Sequence, residues 1–77
     1  MEEELFSKQV QIERKSFSLS LRENPRGRFL RITEDVGGRR DAVIIPASGL
    51  EQIQEILDRA IEADRDQGDY SPPHASS

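Results

Sequence analysis

The stretch from Ser16 to Ile32 constrains this chain more than any other. Phe17, Leu19 and Leu21 alternate with Ser16, Ser18, Ser20 and Arg22, and after a short interruption Leu30 and Ile32 alternate with Phe29, Arg31 and Thr33. A period of two is the mark of a strand with one apolar face. The interruption is Asn24-Pro25-Arg26-Gly27, with Asn at the first position of a type I turn, Pro at the second and Gly at the fourth. With Pro25-Arg26 as the loop, Leu19 falls opposite Ile32 and Leu21 opposite Leu30. Pattern and turn then agree on one apolar face.

Two more strands extend this hairpin. Residues 5–14 place Phe6, Val10 and Ile12 on one side, with Lys8 among them, and Ser7, Gln9, Gln11 and Glu13 on the other. Arg14-Lys15 is the expected connection, which sets Ile12 opposite Phe17 and Val10 opposite Leu19. Strands are expected at 16–23 and 28–35. After the glycine turn of Val36-Gly37-Gly38-Arg39-Arg40, a fourth runs over 41–46 and ends at Pro46. The period changes at Ser48. Ser48-Gly49-Leu50-Glu51 has the spacing of a capping box, and Leu50, Ile53, Ile56, Leu57, Ala60 and Ile61 recur at helical spacing. The helix is expected to fray near Asp64–Gln67 and stop by Gly68, with 67–77 a disordered tail. The fold class is α+β: a four-stranded antiparallel sheet followed by one C-terminal helix. That helix carries the only other apolar stripe and is expected to lie on the apolar face of the sheet.

Composition limits what such a fold can do alone. With 77 residues and about a third of them apolar, one small domain has a thin core. There is no cysteine, so disulfides and thiolate metal sites are excluded, and the single histidine, His74, sits in the Pro/Ser tail. Self-association is the remaining source of burial. No apolar run approaches the ~18 residues of a membrane span. The start, Met1-Glu2-Glu3-Glu4, is acidic, opposite to a signal-peptide start. The reading is an intracellular, cytoplasmic protein, including one associated with the nucleoid.

Charge is unevenly spread. The net value of −4 hides a basic stretch at residues 8–40, with nine basic and four acidic residues, between an acidic start and an acidic C-terminal half. A phosphate backbone meets a local face, so the asymmetry matters more than the total. Gln9, Gln11, Ser18, Ser20, Arg22, Phe29, Arg31 and Thr33 share the second face of the sheet, with Ile44 as a further apolar spot. A ring flanked by guanidiniums, above low hydroxyl side chains, suits stacked bases and phosphates. The plainer reading is a solvated strand face, with Phe29 under a partner subunit. Arg14, Lys15, Arg26, Arg39 and Arg40 lie in the turns, where they can grip phosphates or simply be solvated. Arg28 has core-side parity.

Catalysis finds no support. Glu34 and Asp35 are adjacent in a strand and point to opposite faces. Gly37-Gly38 opens no helix, so it is not a phosphate-binding loop. No His/Asp/Glu cluster has metal spacing, and serines 16, 18 and 20 have no base positioned beside them. No catalytic residue, metal, cofactor or small-molecule substrate is assigned.

From Leu5 to about Ile61 the chain resembles a PUR repeat, the module of purine-rich-element-binding proteins. The resemblance rests on Glu13-Arg14-Lys15 closing a strand, Phe17-Ser18-Leu19-Ser20-Leu21 with Arg22-Glu23-Asn24, Arg26-Gly27-Arg28-Phe29-Leu30-Arg31-Ile32, and Ile45-Pro46-Ala47-Ser48-Gly49-Leu50 leading into the helix. It implies a Whirly-like β-β-β-β-α fold in which two repeats intertwine, each helix packing across the other's sheet. A chain with one repeat is then a homodimer, as in single-repeat bacterial members. It also implies binding of purine-rich single-stranded DNA or RNA on the sheet face and basic turns. By position this carries over to Arg14, Lys15 and Ser16, to Arg26–Phe29 with Arg31, and to Arg39-Arg40. Ser16, Ser18 and Ser20 depart from the aromatic and charged residues usual in the family's second strand. The domain reading is an acidic extension at 1–4, the repeat at 5–66 and the tail at 67–77. The alternative function is a dimeric protein-interaction or scaffold module without nucleic-acid binding.

Overall fold

The structure is a computed structural model that describes residues 1–68. His74 and most of the expected tail lie outside the described residues. The elements are β1 (Glu3–Ile12), β2 (Lys15–Asn24), β3 (Gly27–Val36), β4 (Arg39–Pro46), a 3-10 turn at Ala47–Gly49 and α1 (Leu50–Asp66). The strands form one antiparallel meander in chain order.

The central hairpin has the expected register. Asn24 pairs with Gly27, Leu21 with Leu30, Leu19 with Ile32, Ser20 with Arg31 and Arg22 with Phe29. The Asn24 Oδ1 accepts the Arg26 N–H at 2.8 Å, the Asx bond that makes Asn a turn former. At the β3–β4 turn Gly37 and Gly38 both have positive φ, 59° and 89°, which favours the two-glycine sequence in a two-residue hairpin loop.

The first hairpin departs from expectation. Its loop is Glu13-Arg14, with Glu13 in the left-handed region at φ 56°. Ile12 therefore pairs with Lys15, and Val10 with Phe17 rather than Leu19. A shift of two residues preserves face parity, so the hydrophobic pattern cannot distinguish the two registers. Nearer the N-terminus a bulge between Glu4 and Phe6 interrupts the ladder, and β1 runs back to Glu3.

The helix corrects two further expectations. The chain enters helical rotation through the 3-10 turn at Ala47, so the cap position of α1 is Gly49 and no side-chain cap bond forms. Ser48 is already inside the turn and is not placed as a capping-box residue. The C-terminal stop agrees with the sequence: Gly68 has φ 82° and its N–H reaches the Arg65 carbonyl at 3.0 Å.

Nor does α1 lie over its own sheet. Leu50 and Ile53 are half-buried near the turn, but from Gln54 to Gly68 every residue is exposed, Ile56 at 61%. Among the described residues none is buried. The apolar face carries Phe6, Val10, Phe17, Leu19, Leu21, Leu30, Ile32, Val43 and Ile45, with Phe6 and Val43 more than half exposed. The sequence pattern fixes that the helix stripe needs an apolar partner. It does not fix that the partner is in the same chain.

Ser48→Ala tests the cap. A capping-box serine lost to alanine costs about 1 kcal/mol. With no side-chain cap bond here, the unfolding free energy from urea titration is expected to stay within about 0.5 kcal/mol of the parent.

Candidate nucleic-acid interface

The face opposite the apolar one is polar and continuous. Counting from the register, it carries Ser7, Gln9 and Gln11 from β1, Ser16, Ser18, Ser20 and Arg22 from β2, Phe29, Arg31, Thr33 and Asp35 from β3, and Arg40, Ala42 and Ile44 from β4. Sequence parity assigned most of these positions, including Ile44.

Two recesses mark its ends. At the β2–β3 turn, Phe29 sits in a notch of about 150 Å³ with Asn24, Arg26, Arg28, Ile44 and Pro46. Phe29 pairs with Pro46 on one side and Arg22 on the other, and it is half-buried rather than standing free above the sheet. At the opposite end a polar recess of about 340 Å³ is lined by Gln9, Ser16, Ser18, Thr33, Asp35 and Arg40. There Gln9 Nε2 donates to the Ser16 hydroxyl at 2.9 Å. Asp35 accepts the Gly38 N–H at 3.2 Å with one oxygen and pairs with Arg40 at 3.1 Å with the other.

The nine residues singled out from the sequence divide by position. Ser16, Arg22, Phe29, Arg31 and Arg40 share the open face. Arg14 and Arg26 occupy turns at opposite ends of the sheet. Lys15 and Arg39 do not join them: register puts both on the apolar side, Lys15 opposite Ile12 and Arg39 opposite Val36. Lys15 pairs there with Glu34 at 3.0 Å. Arg28 has the core-side parity expected, opposite Glu23, and approaches its carboxylate at 3.5 Å.

Sequence reasoning missed the carboxylates on the open face. The bulge at Leu5 turns Glu4 to the side of Arg22, its register partner. Glu2 and Glu4 both form ion pairs with Arg22, the latter at 3.0 Å, and Glu2 also reaches Arg31 at 3.5 Å. With Asp35 beside Arg40, the guanidiniums of this face each have a carboxylate neighbour. The basic excess of residues 8–40 is thus not concentrated there, because Lys8, Lys15, Arg28 and Arg39 have the opposite parity. The adjacent apolar pair Leu5-Phe6 was the available signal, since it breaks the alternation where an extra residue is needed.

Among the described residues no group of three His, Asp or Glu could hold a metal ion, and no helix is long and apolar enough to cross a membrane.

Comparison with known proteins gives concordant results. A family model described as PurA ssDNA and RNA-binding protein matches residues 2–74. The chain is 38% identical over 61 residues to Transcription factor Pur-alpha 1 of Arabidopsis thaliana, covering 79% of this chain and 21% of that protein. It is 35% identical over 72 residues to Transcriptional activator protein Pur-alpha of Mus musculus and of Homo sapiens, covering 92% of this chain and 22% of each. The chain thus spans about a fifth of the length of these relatives.

Because Phe29 lies on the open face in a notch at the β2–β3 turn, Phe29→Ala is expected to leave the far-UV circular dichroism unchanged. Its unfolding cost should fall below the ~2–5 kcal/mol typical of a core Leu→Ala change, with Leu19→Ala as the comparison. A cost equal to that of Leu19→Ala would assign Phe29 to the core or to an interface.

Proposed function

The chain belongs to the PurA family of single-stranded DNA- and RNA-binding proteins, and on that premise we propose that it is a non-catalytic module that binds purine-rich single strands on its open sheet face. The observation that carries this reading is the placement of Phe29 between Arg22 and Pro46, with Arg31 on the same face. A base stacks on the exposed part of the Phe29 ring, and the two guanidiniums take the flanking phosphates. The low wall of Ser16, Ser18 and Ser20 lets the strand lie close to the sheet. The recess around Gln9, Ser16, Thr33 and Asp35 offers donors and acceptors to base edges. Arg14, Arg26 and Arg40 hold the backbone at the ends. Lys15 and Arg39 take a smaller part than the sequence suggested, since they start from the other face.

The binding unit is a homodimer of Whirly-like form. Support comes from the apolar sheet face and the exposed stripe of Leu57 and Ile61, each of which lacks cover among the described residues. Exchange of helices between two copies buries both, and two antiparallel sheets become two binding faces. An apolar surface of this extent on a small domain marks an interface.

Binding and assembly measurements test these statements. With about four phosphates neutralised per subunit, log affinity for a GGN-repeat single strand should fall against log salt with a slope of roughly −3. Phe29→Ala should lose about 1–3 kcal/mol of binding. Absence of binding at low salt would favour the protein-interaction module. Sedimentation equilibrium should give a dimer, and Leu57→Glu with Ile61→Glu should abolish both the dimer and cooperative unfolding. A folded wild-type monomer would sink the exchange.

A further inference from the structure

We propose that Glu2 and Glu4 form an internal strap that occupies the strand-binding face, so that nucleic acid binds by exchanging its phosphates for these two carboxylates. The inference rests on the binding mode proposed above and adds a regulatory contact to it.

The geometry is that of a phosphate stand-in. Glu2 Oε2 bridges two guanidiniums, touching Arg22 Nε and lying 3.5 Å from Arg31 Nη2. Glu4 Oε1 accepts from Arg22 Nη1 at 3.0 Å and from the Ser20 hydroxyl at 3.3 Å, and that hydroxyl accepts a second Arg22 bond at 3.1 Å. A phosphodiester presents the same thing to these groups: anionic oxygens that accept from paired N–H donors. The arrangement depends on the bulge. Continued without the extra residue at Leu5, the ladder would place Glu4 opposite Glu23 on the other side of the sheet. The bulge reverses that parity and brings Glu2 and Glu4 together onto Arg22, while Glu3 takes the place opposite Glu23.

The strap is displaceable. Its members are partly exposed, Glu4 at 50% of its side chain and Arg31 at 41%. Exposed ion pairs of this kind hold only weakly and are screened by salt. A strand that offers several phosphates and a stacked base together outcompetes two carboxylates, whereas an isolated anion gains little over them. The strap therefore raises the threshold for binding and favours strands long enough to engage Phe29 and both arginines at once.

The test is fluorescence anisotropy with a short GGN-repeat DNA single strand at two salt concentrations. It uses the full chain, the E2Q/E4Q variant and an E3Q/E51Q control, which removes two charges away from the open face. E2Q/E4Q is expected to bind about tenfold tighter than wild type at low salt. Its slope against log salt should be steeper by about 0.7 for each freed arginine, and E3Q/E51Q should stay near wild type. Equal affinity of wild type and E2Q/E4Q, or an equal gain in the control, would overturn the strap while leaving nucleic-acid binding in place. Weaker binding by E2Q/E4Q would overturn it too and make the carboxylates readers of base edges. If neither protein binds at low salt, the proposed function fails with the strap. An independent readout is the side-chain carboxyl ¹³C resonances of Glu2 and Glu4 in wild type. They should shift when the strand saturates the protein, and unchanged carboxyl resonances under saturation would refute the exchange.

Discussion

The need of an apolar sheet face and an apolar helix stripe for cover is the constraint on which the rest of this molecule depends. Both surfaces are present in one chain, yet they do not meet there. The helix leaves through a 3-10 turn at Ala47–Gly49, and its residues from Gln54 onward are exposed. The sheet, meanwhile, leaves Phe6, Val10, Ile12 and Val43 open to solvent. A flat object of 45 × 31 × 15 Å has little interior in which to bury anything. A domain needs two packed layers around a core, and here one layer of sheet and a departing helix do not supply them.

Dedicating one face to burial leaves the other for function. In an antiparallel meander the two faces alternate residue by residue, so every position that serves the core fixes its neighbours for the surface. Leu19 and Leu21 place Ser18, Ser20 and Arg22 outward; Leu30 and Ile32 place Phe29 and Arg31 beside them. The make-up of the open face is thus a by-product of hydrophobic alternation, held in register by the turn from Asn24 to Gly27.

The electrostatics of that surface are more balanced than the local charge count implies. Basic residues in 8–40 are distributed over both faces, and those on the open one have carboxylates beside them. The face is polar and guanidinium-bearing without being a strong positive field. A surface of this sort projects little long-range field, since charges more than a Debye length away are screened.

Hydrophobic alternation and turn chemistry made four strands, their order, the β2–β3 register and the membership of the open face legible from the residues alone. Phe29, Arg31 and Arg22 could be grouped because the Asn24–Gly27 turn left one register. Where local rules were degenerate, the residues were silent. The Glu13-Arg14 loop differs from Arg14-Lys15 by a shift that preserves parity. The bulge at Leu5 costs one residue and moves Glu4 across the sheet. The helical start at Ala47 removes Ser48 from its capping role. The path of the helix is likewise a property of three dimensions, because a periodic stripe specifies the kind of surface it must meet and carries no information about where that surface lies. The sequence by itself determined the elements and their faces, since those follow from nearest-neighbour periodicity. Only the tertiary structure decided that the acidic start lies against the arginines and that the helix leaves its own sheet bare, since both depend on backbone irregularities that periodicity does not encode.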